Sequence, residues 1–142
     1  MTQLNPYLTF DGNTEEAFNF YKSVFGGDFE GIMRWKDNPQ CEGMSEADKN
    51  RVMHVALKVG DSIIMGSDFV SMNGEKFQSG NNFSVAITPD SRADADRLFE
   101  GLSKGGQPVM PMTDMFWGGY FGAFADKFGV KWLINHDSNQ TK

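Results

Sequence analysis

The chain offers few parts for chemistry: two histidines, one cysteine and 19 acidic residues in 142 positions. His54 is the most promising of them. It lies in Val52-Met53-His54-Val55-Ala56-Leu57-Lys58-Val59, where alternation puts Met53, Val55, Leu57 and Val59 on one strand face. His54, Ala56 and Lys58 then share the other face. An imidazole there could act as a general base or hydrogen-bond donor near neutral pH. It could instead be a strand histidine satisfied by a cross-strand partner, since no second catalytic group is spaced to work with it. His136 follows the last strand-like stretch and reads as solvated. Cys41, in a polar loop, has no activating neighbour.

The densest aromatic cluster is Phe116-Trp117-Gly118-Gly119-Tyr120, where the glycines allow a tight turn. It reads as the wall of a ligand pocket, with Trp132 and Trp35 as further aromatic surface, or else as core or a dimer seam. Asp114 and Asp126 flank it and could orient a ligand or simply form turns. Met110, Met112 and Met115 precede it and would suit an adaptable pocket or an ordinary core. Tyr7 and Thr9 share one face of the first strand and could line a cavity. Arg34 could meet a carboxylate ligand or water.

These residues need a scaffold, and the sequence predicts one in two similar halves. Pro6–Phe10 reads as a strand. Asn13 and Glu16 have capping-box spacing, and Ala17, Phe20, Tyr21, Val24 and Phe25 form an apolar helical stripe ending at Gly26-Gly27. Phe29 to Trp35, Val52–Val59 and Ser62–Met65 read as three more strands, with a polar loop over 37–50. The second half repeats the plan. Phe83–Thr88 is a strand, Pro89-Asp90-Ser91 opens a helix, and 107–112, 120–125 and 130–135 are strands. Adding 78 to Ala17, Phe20, Tyr21 and Val24 gives Ala95, Leu98, Phe99 and Leu102, which argues for an internal duplication. The expectation is one α+β domain over 1–142, with βαβββ modules at 4–65 and 82–136 forming a curved antiparallel sheet around a cavity.

Composition narrows the function. With 13 basic against 19 acidic residues the net charge is −6, and no basic cluster exists, which argues against nucleic acid. One cysteine excludes an intrachain disulfide and a multi-cysteine zinc site. No apolar run is long enough for a membrane helix, and the first residues lack a secretory pattern, so the expected compartment is the cytoplasm.

The stretch from Pro6 to Asn13, then Glu16-Ala17-Phe18 and Phe20 to Gly27, resembles the opening of PhnB-like proteins. Asp114 to Gly122 and Asp126 to Trp132 resemble that family's second-half signature. PhnB-like proteins are a branch of the vicinal oxygen chelate superfamily, with glyoxalase I, bleomycin-resistance proteins and extradiol dioxygenases. Some carry a 3-demethylubiquinone 3-methyltransferase label. This chain has no glycine-rich strand-loop-helix for S-adenosylmethionine. Metal-dependent members of the superfamily place His and Glu on the first and last strands of each module. By counting along the motifs, those positions fall near Pro6, Met65, Phe83 and Leu133, none of which ligates a hard cation.

The resemblance therefore implies no metal and no cofactor. It implies a homodimer that binds a small aromatic or amphipathic ligand through Tyr7, Thr9, Asp114, Phe116, Trp117, Tyr120 and Trp132, with no membrane or nucleic-acid partner. The alternative is a lyase, isomerase or dioxygenase-like enzyme on a vicinal-oxygen substrate, using His54 and possibly a divalent metal. On the face opposite its apolar neighbours, His54 would stand where superfamily ligands bind.

Overall fold

In the computed structural model, residues 2–71 and 73–137 are described. The chain divides into two units, Met1–Gln78 and Ser79–Lys142. In the first, strand β1 (Tyr7–Phe10) leads into helix α1 (Thr14–Phe25), then β2 (Phe29–Arg34), β3 (Val52–Val59) and β4 (Ser62–Asp68). The loop between β2 and β3 holds a single 3₁₀ turn, Trp35–Asp37, and the short helix α2 (Glu46–Lys49), capped by Ser45. The second unit repeats the order with β5 (Val85–Ile87), helix α3 (Arg92–Ser103), β6 (Gln107–Asp114), β7 (Gly119–Ala125) and β8 (Lys131–Asp137).

Both sheets have the same strand order, β1-β4-β3-β2 and β5-β8-β7-β6. They are mixed rather than wholly antiparallel. The first strand of each unit pairs in parallel with the last, Tyr7 with Met65 and Ala86 with Leu133, while the other neighbours run antiparallel. Alternation in a sequence reveals a two-faced strand; it does not reveal the direction of the neighbour.

The helix of each unit covers one sheet face. In the first unit, Leu8 and Phe10 on β1, Val55 and Leu57 on β3, and Ile64 on β4 are buried with Ala17, Phe18 and Tyr21 of α1. Burying an aromatic side chain of this size contributes roughly 1.5–3 kcal/mol. Gly66 lies just past the strand read from the sequence over Ser62–Met65, yet it is inside β4. A Cβ there would stand 2.7 Å from the Phe18 ring and 2.8 Å from the Leu8 carbonyl oxygen. The helix sits that close because this position is bare.

The capping box expected at Asn13 and Glu16 does not form; Asn13 makes no side-chain cap. The buried Asp68, at the far end of β4, replaces it. Its Oδ1 accepts from the Thr14 N–H at 3.0 Å and the Thr14 hydroxyl at 2.6 Å, and its Oδ2 accepts from the Val52 N–H at 2.8 Å. One carboxylate thereby joins the start of α1, the start of β3 and the end of β4. The second unit has its own buried carboxylate, Asp126. It accepts from the N–H groups of Phe128 and Val130 and from the Trp132 indole at 2.8 Å. Asp126 is therefore a turn former and core ligand of the chain itself. In α3 the cap is local, the Ser91 hydroxyl accepting from Asp94 N–H.

Candidate functional site

In the first unit the sheet face away from α1 carries Tyr7 and Thr9 from β1, Met65 and Ser67 from β4, and His54 from β3. The strand registers fix this grouping: Tyr7 stands beside Met65, Thr9 beside Ser67, and Met65 beside Ala56, two residues from His54. Tyr7 is 49% exposed, Thr9 is exposed and His54 is half-buried. The His54 and Tyr7 rings lie 5.9 Å apart, tilted by 35°. Met33, paired with His54 across β2 and β3, extends this surface. His54 makes no hydrogen bond among the described residues.

In the second unit the aromatic residues separate. Tyr120, Gly122 and Phe124 share the β7 face that meets α3. Phe99 of α3 packs edge-on against Phe124 at 5.0 Å and close over Gly122. Trp132, beside Phe124 in register, belongs to the same core. At 1% exposed, with its indole held by Asp126, Trp132 offers no surface to a ligand, which corrects its expected role. Strand alternation explains this, since a residue beside Phe124 in register must point the way Phe124 does. His136, expected in a solvated tail, is half-buried in β8 with its Nδ1 3.2 Å from the Pro89 carbonyl oxygen.

Trp117 lies on the opposite face. It sits in the tight turn joining β6 to β7, closed by the Met115 N–H donating to Gly119 O and the Gly118 N–H donating to Met115 O. Its indole folds back over Gly119. A Cβ on Gly119 would stand 2.5 Å from Trp117 Nε1 and 2.6 Å from Asn135 Oδ1. Trp117 is 50% exposed, and Phe116 is 97% exposed and edge-on to it at 5.2 Å. Asn135 Oδ1 is buried and has no hydrogen-bond partner among the described residues.

Tyr120 and Asp114 are committed to the helix side. The Arg92 guanidinium, at the first residue of α3, lies 3.8 Å from the Tyr120 ring centre and donates to both Asp114 carboxylate oxygens, at 2.6 and 3.4 Å. The Tyr120 hydroxyl donates to Asp96 at 2.5 Å. Hydrogen bonding from Arg92 holds Asp114 below the usual carboxylate range, against a smaller opposing effect of desolvation. The Asp96 hydrogen bond, then desolvation, pushes the Tyr120 phenol up. An open groove of about 450 Å³ runs beside this cluster, lined by Phe99, Pro111, Met112 and the acidic Asp96 and Glu100. Arg92, Asp96 and Asn135 were missed from the sequence. Asn135 left one trace, a polar residue inside the otherwise apolar Trp132-Leu133-Ile134 run.

The model of the 3-demethylubiquinone-9 3-methyltransferase family matches residues 2–135. The chain belongs to that family. It is 36% identical to protein PA1353 from Pseudomonas aeruginosa, with a TM-score of 0.85 over 96% of this chain and 98% of that one. A putative 3-demethylubiquinone-9 3-methyltransferase, PhnB protein, from Bacillus cereus is 26% identical, with a TM-score of 0.74 over 95% and 99%. At 12% identity, a glyoxylase/bleomycin resistance protein/dioxygenase domain from Frankia sp. EAN1pec has a TM-score of 0.62 over 99% and 96%. The fold is that of the glyoxalase/bleomycin resistance group.

Neither group that these names imply finds fitting residues here. For a divalent cation, the in-register pairs between first and last strands are Tyr7–Met65 and Ala86–Leu133. Phe83, expected at the third position, precedes β5, and Ala86 takes that place. These four residues supply no carboxylate or imidazole, and no three His, Cys, Asp or Glu side chains cluster among the described residues. For S-adenosylmethionine, a glycine-rich turn from strand to helix is wanting. The connection into α1 is Asp11-Gly12-Asn13, and that into α3 is Thr88-Pro89-Asp90-Ser91. No helix among the described residues is long and apolar enough to cross a membrane.

Proposed function

We propose that this chain is a metal-independent small-molecule binding protein of the PhnB-like, bleomycin-resistance type, working as a homodimer in the cytoplasm. Its ligand is aromatic or amphipathic. The observation that carries this reading is Trp117, half-exposed and laid across a bare glycine on the sheet face away from α3. A large rigid aromatic surface held open to solvent suits stacking, which is worth about 0.5–1.5 kcal/mol beyond the area buried. Phe116 adds surface beside it. Tyr7 and Thr9, on the first unit's sheet face away from α1, are the further contacts we assign. Asp114 and Tyr120 serve the helix side through Arg92 and Asp96, and Trp132 serves the core.

The test is titration of chelator-treated protein with the fluorescent aromatic probe anilinonaphthalene sulfonate. Saturable binding that weakens at least tenfold in Trp117→Ala is the expected result. Binding that does not saturate, or is unchanged in that variant, would overturn the reading.

His54 favours a second reading, an enzyme on a vicinal-oxygen substrate. The ring is half-buried beside Tyr7 and has no hydrogen-bond partner among the described residues, so its nitrogens are available for proton transfer. Turnover that disappears in His54→Ala while probe affinity stays would replace the binding proposal with this one.

A further inference from the structure

We infer that Asn135 is the residue that selects the ligand, by accepting a hydrogen bond from an N–H or O–H group on a planar aromatic ring stacked against Trp117. This rests on the binding function proposed above and gives its ligand a chemical class.

The argument begins with a buried acceptor that has nothing to accept. Asn135 Oδ1 is out of contact with water and meets no donor among the described residues. Buried polar atoms in folded chains are almost always paired, and an unmade bond carries the full desolvation cost of the group. Such an atom is tolerated where a ligand supplies the partner. The neighbouring indole shows what kind of ligand. Trp117 Nε1 and Asn135 Oδ1 both close in on the bare Gly119, 2.5 and 2.6 Å from where its Cβ would stand, so the indole edge and the acceptor are neighbours. Phe121, in register with Asn135, and Leu133 line the same strand face. A stacking surface, an apolar floor and one inward acceptor select a flat ring that carries a donor. A buried acceptor left unpaired discriminates against the analogue that lacks the donor.

The matched probes are indole and 1-methylindole, which differ by one N–H. Binding is read from the Trp117 side-chain N–H resonance in ¹⁵N-labelled protein, assigned by its loss in Trp117→Phe. The wild-type protein should bind indole about three- to tenfold more tightly, the range that one net hydrogen bond supplies. Asn135→Leu, nearly isosteric, should bind both probes with the weaker affinity. Equal affinities in the wild type, or a preference that survives Asn135→Leu, would overturn the role of Asn135 and leave the binding function standing. If neither probe moves the Trp117 resonance, the binding function falls and this inference with it. The wild-type comparison needs no variant to fold.

Discussion

Trp117 and Tyr120 are three residues apart in one hairpin and lie on opposite faces of its sheet. Trp117 folds over Gly119 beside Asn135, whereas Tyr120 turns to α3 and is held between Arg92 and Asp96. The two should therefore behave differently when removed. Trp117→Ala should weaken aromatic probes at least tenfold and leave the thermal midpoint nearly unchanged. Tyr120→Phe should leave probe affinity within twofold. A shared loss of affinity in both would return Tyr120 to the ligand wall.

Trp132 gives the opposite expectation. Its side chain is core, so Trp132→Ala should cost roughly 3–5 kcal/mol of stability in chemical denaturation. Trp132→Phe keeps most of the volume and loses the hydrogen bond to Asp126, so it should cost less. A stable Trp132→Ala protein with lost ligand affinity would contradict this placement.

Asp68 binds three donors from two elements, and its removal strands all three. Asp68→Ala should destabilise by about 3 kcal/mol, because two backbone N–H groups and a hydroxyl lose a charged acceptor. Thr14→Val removes only the hydroxyl and should cost about 1 kcal/mol. Equal losses in the two variants would mean that the backbone donors find other partners.

Much of the fold was legible in the sequence because burial imposes a period. The stripe of Ala17 and Tyr21, the alternation through Val52–Val59, and the repeat at Ala95, Leu98 and Leu102 all correspond to observed core. Asp68 was not legible, because a carboxylate 54 positions from the helix that it caps leaves no local pattern. The strand β4 was cut short for the same kind of reason: Gly66 resembles a breaker until Phe18 is known to lie on it. At the site, the aromatic residues were found but not their faces. Trp117 belongs to a turn, and alternation assigns no face to a turn residue.

The charged cluster on α3 should show itself in titrations. Tyr120 is raised by Asp96, so the stabilisation it provides is present below the ordinary tyrosine pKa and lost as pH rises through the raised value. Asp114 is lowered by Arg92, so its contribution is present above the ordinary aspartate pKa and lost as pH falls through the depressed value. Phenolate absorbance in Asp96→Asn should show a lower Tyr120 midpoint. Carboxyl ¹³C shifts in Arg92→Ala should show a higher Asp114 midpoint. Midpoints that stay fixed would break the cluster apart.

The most direct test is native mass spectrometry of protein purified without chelators and without an affinity metal. The expected mass is that of two chains with no divalent ion, bare or carrying a small aromatic adduct that Trp117→Ala loses. One divalent ion retained per chain would contradict metal-free binding. The ligands would then have to be sought from His54 outward.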